Sequence, residues 1–212
     1  MSLFIFYFET AALISSLFAW PYLRKSRYLL LFPLILSLVV VVEAYVTFSW
    51  SFNAIIYNIQ VPLQHLLYML MIRFSLDTIR YRRVMTWVIC IYALIAAYGF
   101  VFLTEKNHIN TLAYCAGAIA LIIGILTKFY EMLQNPSDYN FLRKPFFYLM
   151  FAYLLFNVGT LPYFAMGNWL YYTMKRPDIL KILVNVMTVF NYILYSTYTF
   201  VFLWMVQKKA YY

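Results

Sequence analysis

The sequence predicts an all-α fold, in which residues 1–212 form one domain, a bundle of seven transmembrane helices. Two observations lead to this prediction. The chain is 66% hydrophobic and 11% charged, whereas a soluble domain is about 45–50% apolar and about 25% charged. Its apolar runs are also continuous rather than alternating, and continuous runs of roughly 20 residues are typical of membrane-spanning helices.

Seven runs of this length follow one another, each set off by polar or basic residues. The first, MSLFIFYFETAALISSLFAWPYL, lacks the basic region of a signal peptide and is expected to remain as a helix. The second to fourth follow RKSR, SFN and RYRR, and the fifth to seventh follow EKNHIN, FLRK and KRPD. The expected spans are about 3–23, 29–49, 54–75, 84–104, 111–133, 146–167 and 181–206.

The Lys and Arg residues predict the orientation, because cytoplasmic connections carry an excess of them. Twelve fall on one side: Arg24, Lys25, Arg27, Arg73, Arg80, Arg82, Arg83, Lys128, Arg143, Lys144, Lys208 and Lys209. Four fall on the other: Lys106, Lys175, Arg176 and Lys181. We therefore expect the N-terminus outside and the C-terminus in the cytoplasm. The net charge of +9 is explained by topology, so the expected partner is the lipid bilayer and not nucleic acid.

Ionisable residues within a span are costly and indicate a functional hypothesis. Glu43 lies deep in the second span, in LSLVVVVEAYVTF, and we expect it to be protonated or paired with a donor on a neighbouring helix. Glu9 lies nearer the outer end of the first span and is expected to reach water. His65 in the third span could pair with either carboxyl group, or could serve a structural role.

The third span is unusually polar, since NIQVPLQHLLYML carries Asn58, Gln60, Gln64 and His65 around Pro62. On a helix, Asn58 and His65 share one face, and Gln60 and Gln64 share a roughly opposite one. Pro62 is expected to kink this helix. We therefore expect it to be central in the bundle, with its amides acting as interhelical hydrogen bonds or as part of a binding site.

The second half of the chain adds further polar groups. Asn157 in FNVGTLPYF, together with Gly159 and Pro162, is expected to break the sixth span. Asn191 interrupts the apolar run of the seventh span. Broken helices that line a cavity are typical of binding sites. The predicted ligand-binding or polar core residues are thus Glu43, Asn58, Gln60, Gln64, His65, Asn157 and Asn191.

Several seven-helix activities need residues that this chain lacks. A retinal protein needs a Lys midway along the last span, but Lys181 stands at its outer end. A zinc hydrolase needs three ligands, but the chain has two His, and Cys90 and Cys115 show no metal-ligand spacing. Motifs such as HExxH, GxSxG and the P-loop are absent, as is the Pro-Gln pair of PQ-loop carriers. We expect no enzyme activity, no metal and no cofactor.

An internal repeat is also suggested. YLRKSRYLLLFPLIL (22–36) and FLRKPFFYLMFAYLL (141–155) share six identities without gaps, as in transporters built from parallel triplets of helices. Chance matching of apolar runs and a basic pair before each span would give the same result.

YNIQVPLQHLLYMLM, the stretch FLRKPFFYLMFAYLL and the closing VNVMTVFNYILYSTYTFVF resemble a family of small seven-span bacterial proteins often encoded beside sensor histidine kinases. Its members show Asn-Ile-x-x-Pro in the third span, here Asn58 to Pro62, and Leu-x-x-Pro-aromatic before the sixth, here Leu142 to Phe146. They often carry a carboxylate where this chain has Gln64. The resemblance implies a bacterial inner-membrane location and a sensory or accessory role.

Three functions remain open. The first is a receptor or accessory subunit that binds a ligand within the bundle and acts on a membrane or cytoplasmic signalling protein. Its output surface would be the basic residues Arg80, Arg82 and Arg83, which could equally set topology or contact anionic lipid. The second is a small-solute transporter or channel with three-plus-one-plus-three helices. The third is a structural subunit of a larger complex, and a homo-oligomer is compatible with all three.

Overall fold

The computed structural model describes residues 3–49, 54–103, 109–134 and 141–207, and every regular element in them is helical. The helices are α1 (Leu3–Phe18), α2 (Trp20–Leu23), α3 (Leu31–Ser49), α4 (Ala54–Ser75), α5 (Ile79–Tyr98), α6 (Thr111–Gln134), α7 (Pro145–Asn168) and α8 (Pro177–Gln207). Five-residue π-helical segments, Gly99–Leu103 and Trp169–Thr173, extend α5 and α7.

The helices correspond to the seven expected spans, and α4 has the expected bounds. The first span is divided at Ala19, because Pro21 in the first turn of α2 cannot donate a backbone hydrogen bond to the preceding turn. The helix α5 begins at Ile79 rather than near 84. The three arginines predicted to lie in a loop therefore occupy its first two turns.

Six of these helices are long and apolar enough to cross a membrane, and α1 is a shorter apolar helix. Their outward faces carry large apolar side chains, among them Phe48, Trp87 and Leu94, each at least 70% exposed. Exposed apolar surface on this scale needs a non-aqueous environment. The chain is therefore an integral membrane protein.

Six helices pack as a closed ring in the order α1, α3, α4, α6, α7 and α8, and α8 returns to pack on α1. The helix α5 packs outside this ring, against α4 and α6. The ring therefore encloses an interior that the first and last long helices complete together.

The expected break in the sixth span is wrong. The helix α7 runs continuously from Pro145 to Asn168, with Pro162 inside it. The Asn157 Nδ2 group donates to the Tyr153 carbonyl oxygen at 2.8 Å, within the same helix. A proline removes one backbone donor, and a membrane helix tolerates that loss when neighbouring helices pack around it.

The gapless alignment of the second and sixth spans pairs residues in different environments. In three of the apolar pairs, one member is buried and the other is exposed: Leu23 with Leu142, Phe32 with Phe151, and Leu36 with Leu155. The burial of these positions therefore adds no support to the suggested repeat.

An aromatic layer fills the ring at one level. It consists of Phe32, Tyr68, Tyr153, Tyr198 and Phe202. Each of these side chains is at most 1% exposed. The Tyr68 and Tyr153 rings stack at 3.7 Å, and the Tyr68 and Tyr198 hydroxyls lie 3.1 Å apart. This layer joins side chains of α3, α4, α7 and α8 across the ring.

Candidate functional site

A cavity of about 830 Å³ lies inside the ring, on one side of the aromatic layer. Its lining comes from α1, α3, α4, α6, α7 and α8, and α5 contributes none of it. The polar part of the lining consists of Glu9, Glu43, Thr47, Tyr57, Gln60, Gln64, His65, Tyr114, Tyr153, Tyr163, Thr188, Asn191 and Tyr195. Most of these residues lie in the first halves of α1, α4, α6 and α8 or in the second halves of α3 and α7, so the cavity occupies mainly the half of the bundle that contains the start of α1.

Glu43 is buried in α3 and lines the cavity. The Tyr57 hydroxyl, on α4, donates a hydrogen bond to Glu43 Oε1 at 3.0 Å. The expectation that Glu43 pairs with a donor on a neighbouring helix is confirmed. One of its oxygens is thus held by a side chain that itself lines the cavity.

Glu9 is the residue whose position the sequence reasoning missed. It is 1% exposed, lines the cavity and interacts with Tyr195 of α8. Its Oε2 atom has no hydrogen-bond partner among the described residues. The expected contact with water is wrong, because α8 packs over this face of α1.

A signal for this burial was present in the sequence. Ile5, Glu9, Ala12 and Ser16 recur at intervals of three and four residues, and all four are buried. Small residues at such spacing allow close helix packing in a membrane. Glu9 therefore shares the packed face of α1, and its distance from the end of the span was misleading.

The two glutamines of α4 both line the cavity. Gln60 Nε2 donates to Gln64 Oε1 at 3.0 Å, one helical turn further on. This hydrogen bond lies within α4 and does not bridge two helices. The pair presents an amide surface to the cavity.

His65 is 3% exposed, and its Nδ1 atom lies 3.1 Å from the Tyr92 hydroxyl of α5. Of the two roles left open for His65, pairing with a carboxyl group or a structural role, this contact fits the structural role. Gly117 of α6 permits the arrangement, since a Cβ atom there would lie 2.1 Å from His65 Nδ1. His65 lines the cavity while its hydrogen bond ties α4 to α5.

The three asparagines differ in position. Asn58 Oδ1 accepts the backbone N–H of Asn110 at 2.7 Å, and Asn110 Oδ1 accepts the N–H of Ala113 in the first turn of α6. Asn58 therefore supports the capping residue of α6 and is not part of the cavity lining. Asn157 is also absent from the lining, whereas Asn191 lines the cavity and donates to the Met187 carbonyl oxygen at 3.0 Å.

Arg80, Arg82 and Arg83 are exposed at the start of α5, where the helix dipole disfavours positive charge. This start lies at the end of the bundle opposite the cavity, because α4 reaches its last residue there. Arg82 Nε donates to the Leu76 carbonyl oxygen. Arg80 and Arg83 remain available to other molecules or to lipid headgroups.

Glu131 of α6 holds the backbone immediately before α5. Its carboxylate accepts the backbone N–H groups of Asp77 and Thr78, the latter at 2.7 Å, immediately before α5. Lys128 donates to Glu131 Oε2 at 3.0 Å and to Asp77 Oδ2 at 3.2 Å. Lys128 was expected in a connection, but it lies inside α6 and is 5% exposed.

Cys90 is exposed, Cys115 is half-buried, and neither forms a disulfide. The described residues contain no group of three or more His, Cys, Asp or Glu side chains able to hold a metal ion. The cavity therefore offers carboxyl, amide, hydroxyl and aromatic groups for binding. His108, Asp138, Lys106, Lys208 and Lys209 lie outside the described residues.

Comparisons of the chain with protein-family models, with curated proteins and with solved structures find no match. The fold and its composition define an all-helical integral membrane protein.

Proposed function

We propose that this protein is a non-enzymatic membrane receptor or accessory subunit, which binds a small ligand in the cavity and acts through a partner protein. The observation that carries the proposal is the cavity itself. Its volume of about 830 Å³ falls within the usual range for small-molecule sites, about 300–1,000 Å³. It is lined by residues of six helices, so a bound ligand would contact most of the bundle at once.

The proposed orientation places the cavity in the outer half of the membrane and the three arginines in the cytoplasm. Lys128 does not count toward the orientation, since it is buried and paired with Glu131. Eleven basic residues then remain on the cytoplasmic side and four on the outer side, which leaves the bias unchanged. A ligand would enter from outside the cell, and the bacterial inner membrane is the proposed location.

The proposed output surface is the basic first two turns of α5. This surface is exposed and faces away from the cavity end, and its charge suits an acidic protein surface. The helix α5 also joins the cavity through the contact between His65 and Tyr92. A ligand that moved His65 would therefore act on the helix that carries the arginines.

Native mass spectrometry of the protein, extracted from its host in mild detergent, tests this proposal. We expect a second protein at a defined stoichiometry, and we expect it to be lost from the variant Arg80→Ala/Arg83→Ala. Lys175→Ala/Lys181→Ala, at the opposite end of the bundle, is the matched control and should retain it. A protein that purifies alone, or a complex indifferent to Arg80 and Arg83, would contradict the signalling role.

A small-solute carrier is the second candidate, because the ring arrangement favours it. The helices α1, α3 and α4 and the helices α6, α7 and α8 form two sets of three, and α5 lies outside both. This matches a three-plus-one-plus-three arrangement. Flux into liposomes that changes with Glu43→Gln would favour a carrier, and single substitutions that affect only stability would favour a structural subunit.

A further inference from the structure

The cavity combines two carboxyl groups with a largely aromatic and aliphatic wall. Glu9 and Glu43 come from the packed neighbours α1 and α3, and both residues line the cavity. Among the described residues, the lining contains no Lys or Arg. No Lys or Arg side chain of the lining therefore pairs with either carboxyl group.

The unsatisfied atom of Glu9 is the second observation. The residue is almost completely buried, and its Oε2 atom has no hydrogen-bond partner among the described residues. A buried polar atom without a partner costs free energy, and unpaired ionisable groups in membrane helices mark functional sites by default. A ligand that donates a hydrogen bond here would remove that cost.

The aromatic part of the wall narrows the ligand class. Seven aromatic residues line the cavity: Tyr57, Tyr114, Tyr153, Phe156, Tyr163, Phe164 and Tyr195. Aromatic faces attract cations, most strongly where water is excluded. A metal ion is disfavoured, since no cluster of three suitable ligands occurs among the described residues. Apolar residues such as Val39, Val61 and Met187 would contact an apolar ligand body.

We propose that the cavity binds an amphipathic organic cation, whose ammonium or equivalent group lies between Glu9 and Glu43 and whose apolar body contacts the aromatic wall. This assignment shares with the proposed function the premise that the cavity binds a ligand, and it does not depend on the receptor role. It names the chemical class of the ligand and the two residues that select its charge.

Binding of charge-matched probes to the full-length protein in nanodiscs of zwitterionic lipid tests the assignment. Tetraphenylphosphonium and tetraphenylborate have nearly the same size and shape but opposite charge, and empty nanodiscs correct for their partition into lipid. Tryptamine and spermine extend the test to smaller and more flexible cations. We expect saturable binding of at least one cation and none of tetraphenylborate.

The variants Glu9→Gln and Glu43→Gln keep the side-chain volume and remove the ionisable carboxyl group. Each should weaken cation binding at least about tenfold. Asp178→Asn, in an exposed ion pair with Arg176, is the matched carboxyl-to-amide control and should bind as the unmodified protein does. Size-exclusion chromatography of each variant establishes that it is folded. If one of the two variants does not fold, the other still provides the test.

Equal binding of the two tetraphenyl ions, failure of all three cations to bind, or cation binding unaffected by both Gln variants would overturn the assignment. These outcomes are distinguishable from failure of the receptor proposal, which depends on recovery of the partner protein. A partner recovered together with a neutral or anionic small molecule would leave the receptor role intact and refute only the cation class.

Discussion

The Lys128 ammonium lies 3.0 Å from Glu131 Oε2, and both side chains are nearly inaccessible to solvent. The same carboxylate receives the backbone N–H groups of Asp77 and Thr78. One pair of residues thus holds α6 to the connection between α4 and α5. It does so beside the basic surface proposed to contact a partner.

Removal of one member of this pair should destabilise the protein strongly. Lys128→Met leaves a buried carboxylate without its cation, and we expect a loss of about 3 kcal/mol or more in the free energy of unfolding. Denaturant-induced unfolding in detergent measures this change. The double variant Lys128→Met/Glu131→Leu should lose less than the sum of the two single variants, because it leaves no unpaired charge.

Asp178→Asn serves as the control for that experiment, since its partner Arg176 and Asp178 itself are both exposed. It should leave the unfolding midpoint unchanged. Additive effects of the Lys128 and Glu131 substitutions would show that the two side chains do not act as a pair.

Gly117 should not tolerate a methyl group. A Cβ atom there would lie 2.1 Å from His65 Nδ1 and 2.8 Å from the Tyr92 hydroxyl. We expect Gly117→Ala to cost about 1–3 kcal/mol, as overpacking of a filled interior does. The thermal unfolding midpoint, followed by intrinsic fluorescence, measures it.

Gly167→Ala is the matched control, because the nearest heavy atom to a Cβ there lies 3.8 Å away. Alanine is the better helix former, so this variant should be unchanged or slightly more stable. Equal effects at the two glycines would contradict the close packing of α6 against His65.

The cavity should be accessible to water-soluble reagents. Thr188 lines it, whereas Thr199 on the same helix does not, and both hydroxyls donate to the carbonyl oxygen four residues earlier. In a Cys90→Ser/Cys115→Ser background, Thr188→Cys should react faster with methanethiosulfonate ethylammonium than Thr199→Cys. Mass spectrometry of the labelled protein gives both rates, and equal rates would mean that the cavity is closed.

The proposed orientation predicts the behaviour of reporter fusions. A fluorescent protein fused after Gln207 should fluoresce, since that end is proposed to be cytoplasmic. Alkaline phosphatase fused after Arg176 should be active, since that connection is proposed to be outside. The reverse pattern would place the cavity in the inner half of the bilayer and remove the basis for an external ligand.

The sequence predicts where each helix begins and ends better than it predicts which helices pack against one another. Hydropathy alone gives the bounds of α4, because its length is set by the thickness of the bilayer. The polar residues of α4 are all buried or half-buried, as their positions on two faces indicate. Their partners could not be predicted, since helical periodicity does not say which helix lies opposite. Tyr92 rather than a carboxyl group therefore contacts His65.

Two errors have physical causes. Asn157 with Pro162 suggested a break, but the packed neighbours of α7 support a continuous helix. Glu9 lies near the outer end of the first span, where the sequence predicts contact with water, but the packing of α8 on α1 buries it. The spacing of Ile5, Glu9, Ala12 and Ser16 indicates a packed face on α1, but no local pattern shows that α8, far away in the chain, is the helix that covers it.

That contact also determines when the site can form during synthesis. A growing chain inserts α1 long before α8 emerges, so Glu9 enters the membrane without Tyr195. Until the last helix arrives, the ring has a gap that lipid tails or another protein must occupy. During synthesis the chain therefore passes through a stage in which the Glu9 carboxyl group is not covered by α8. A membrane chaperone would bind the chain at this stage.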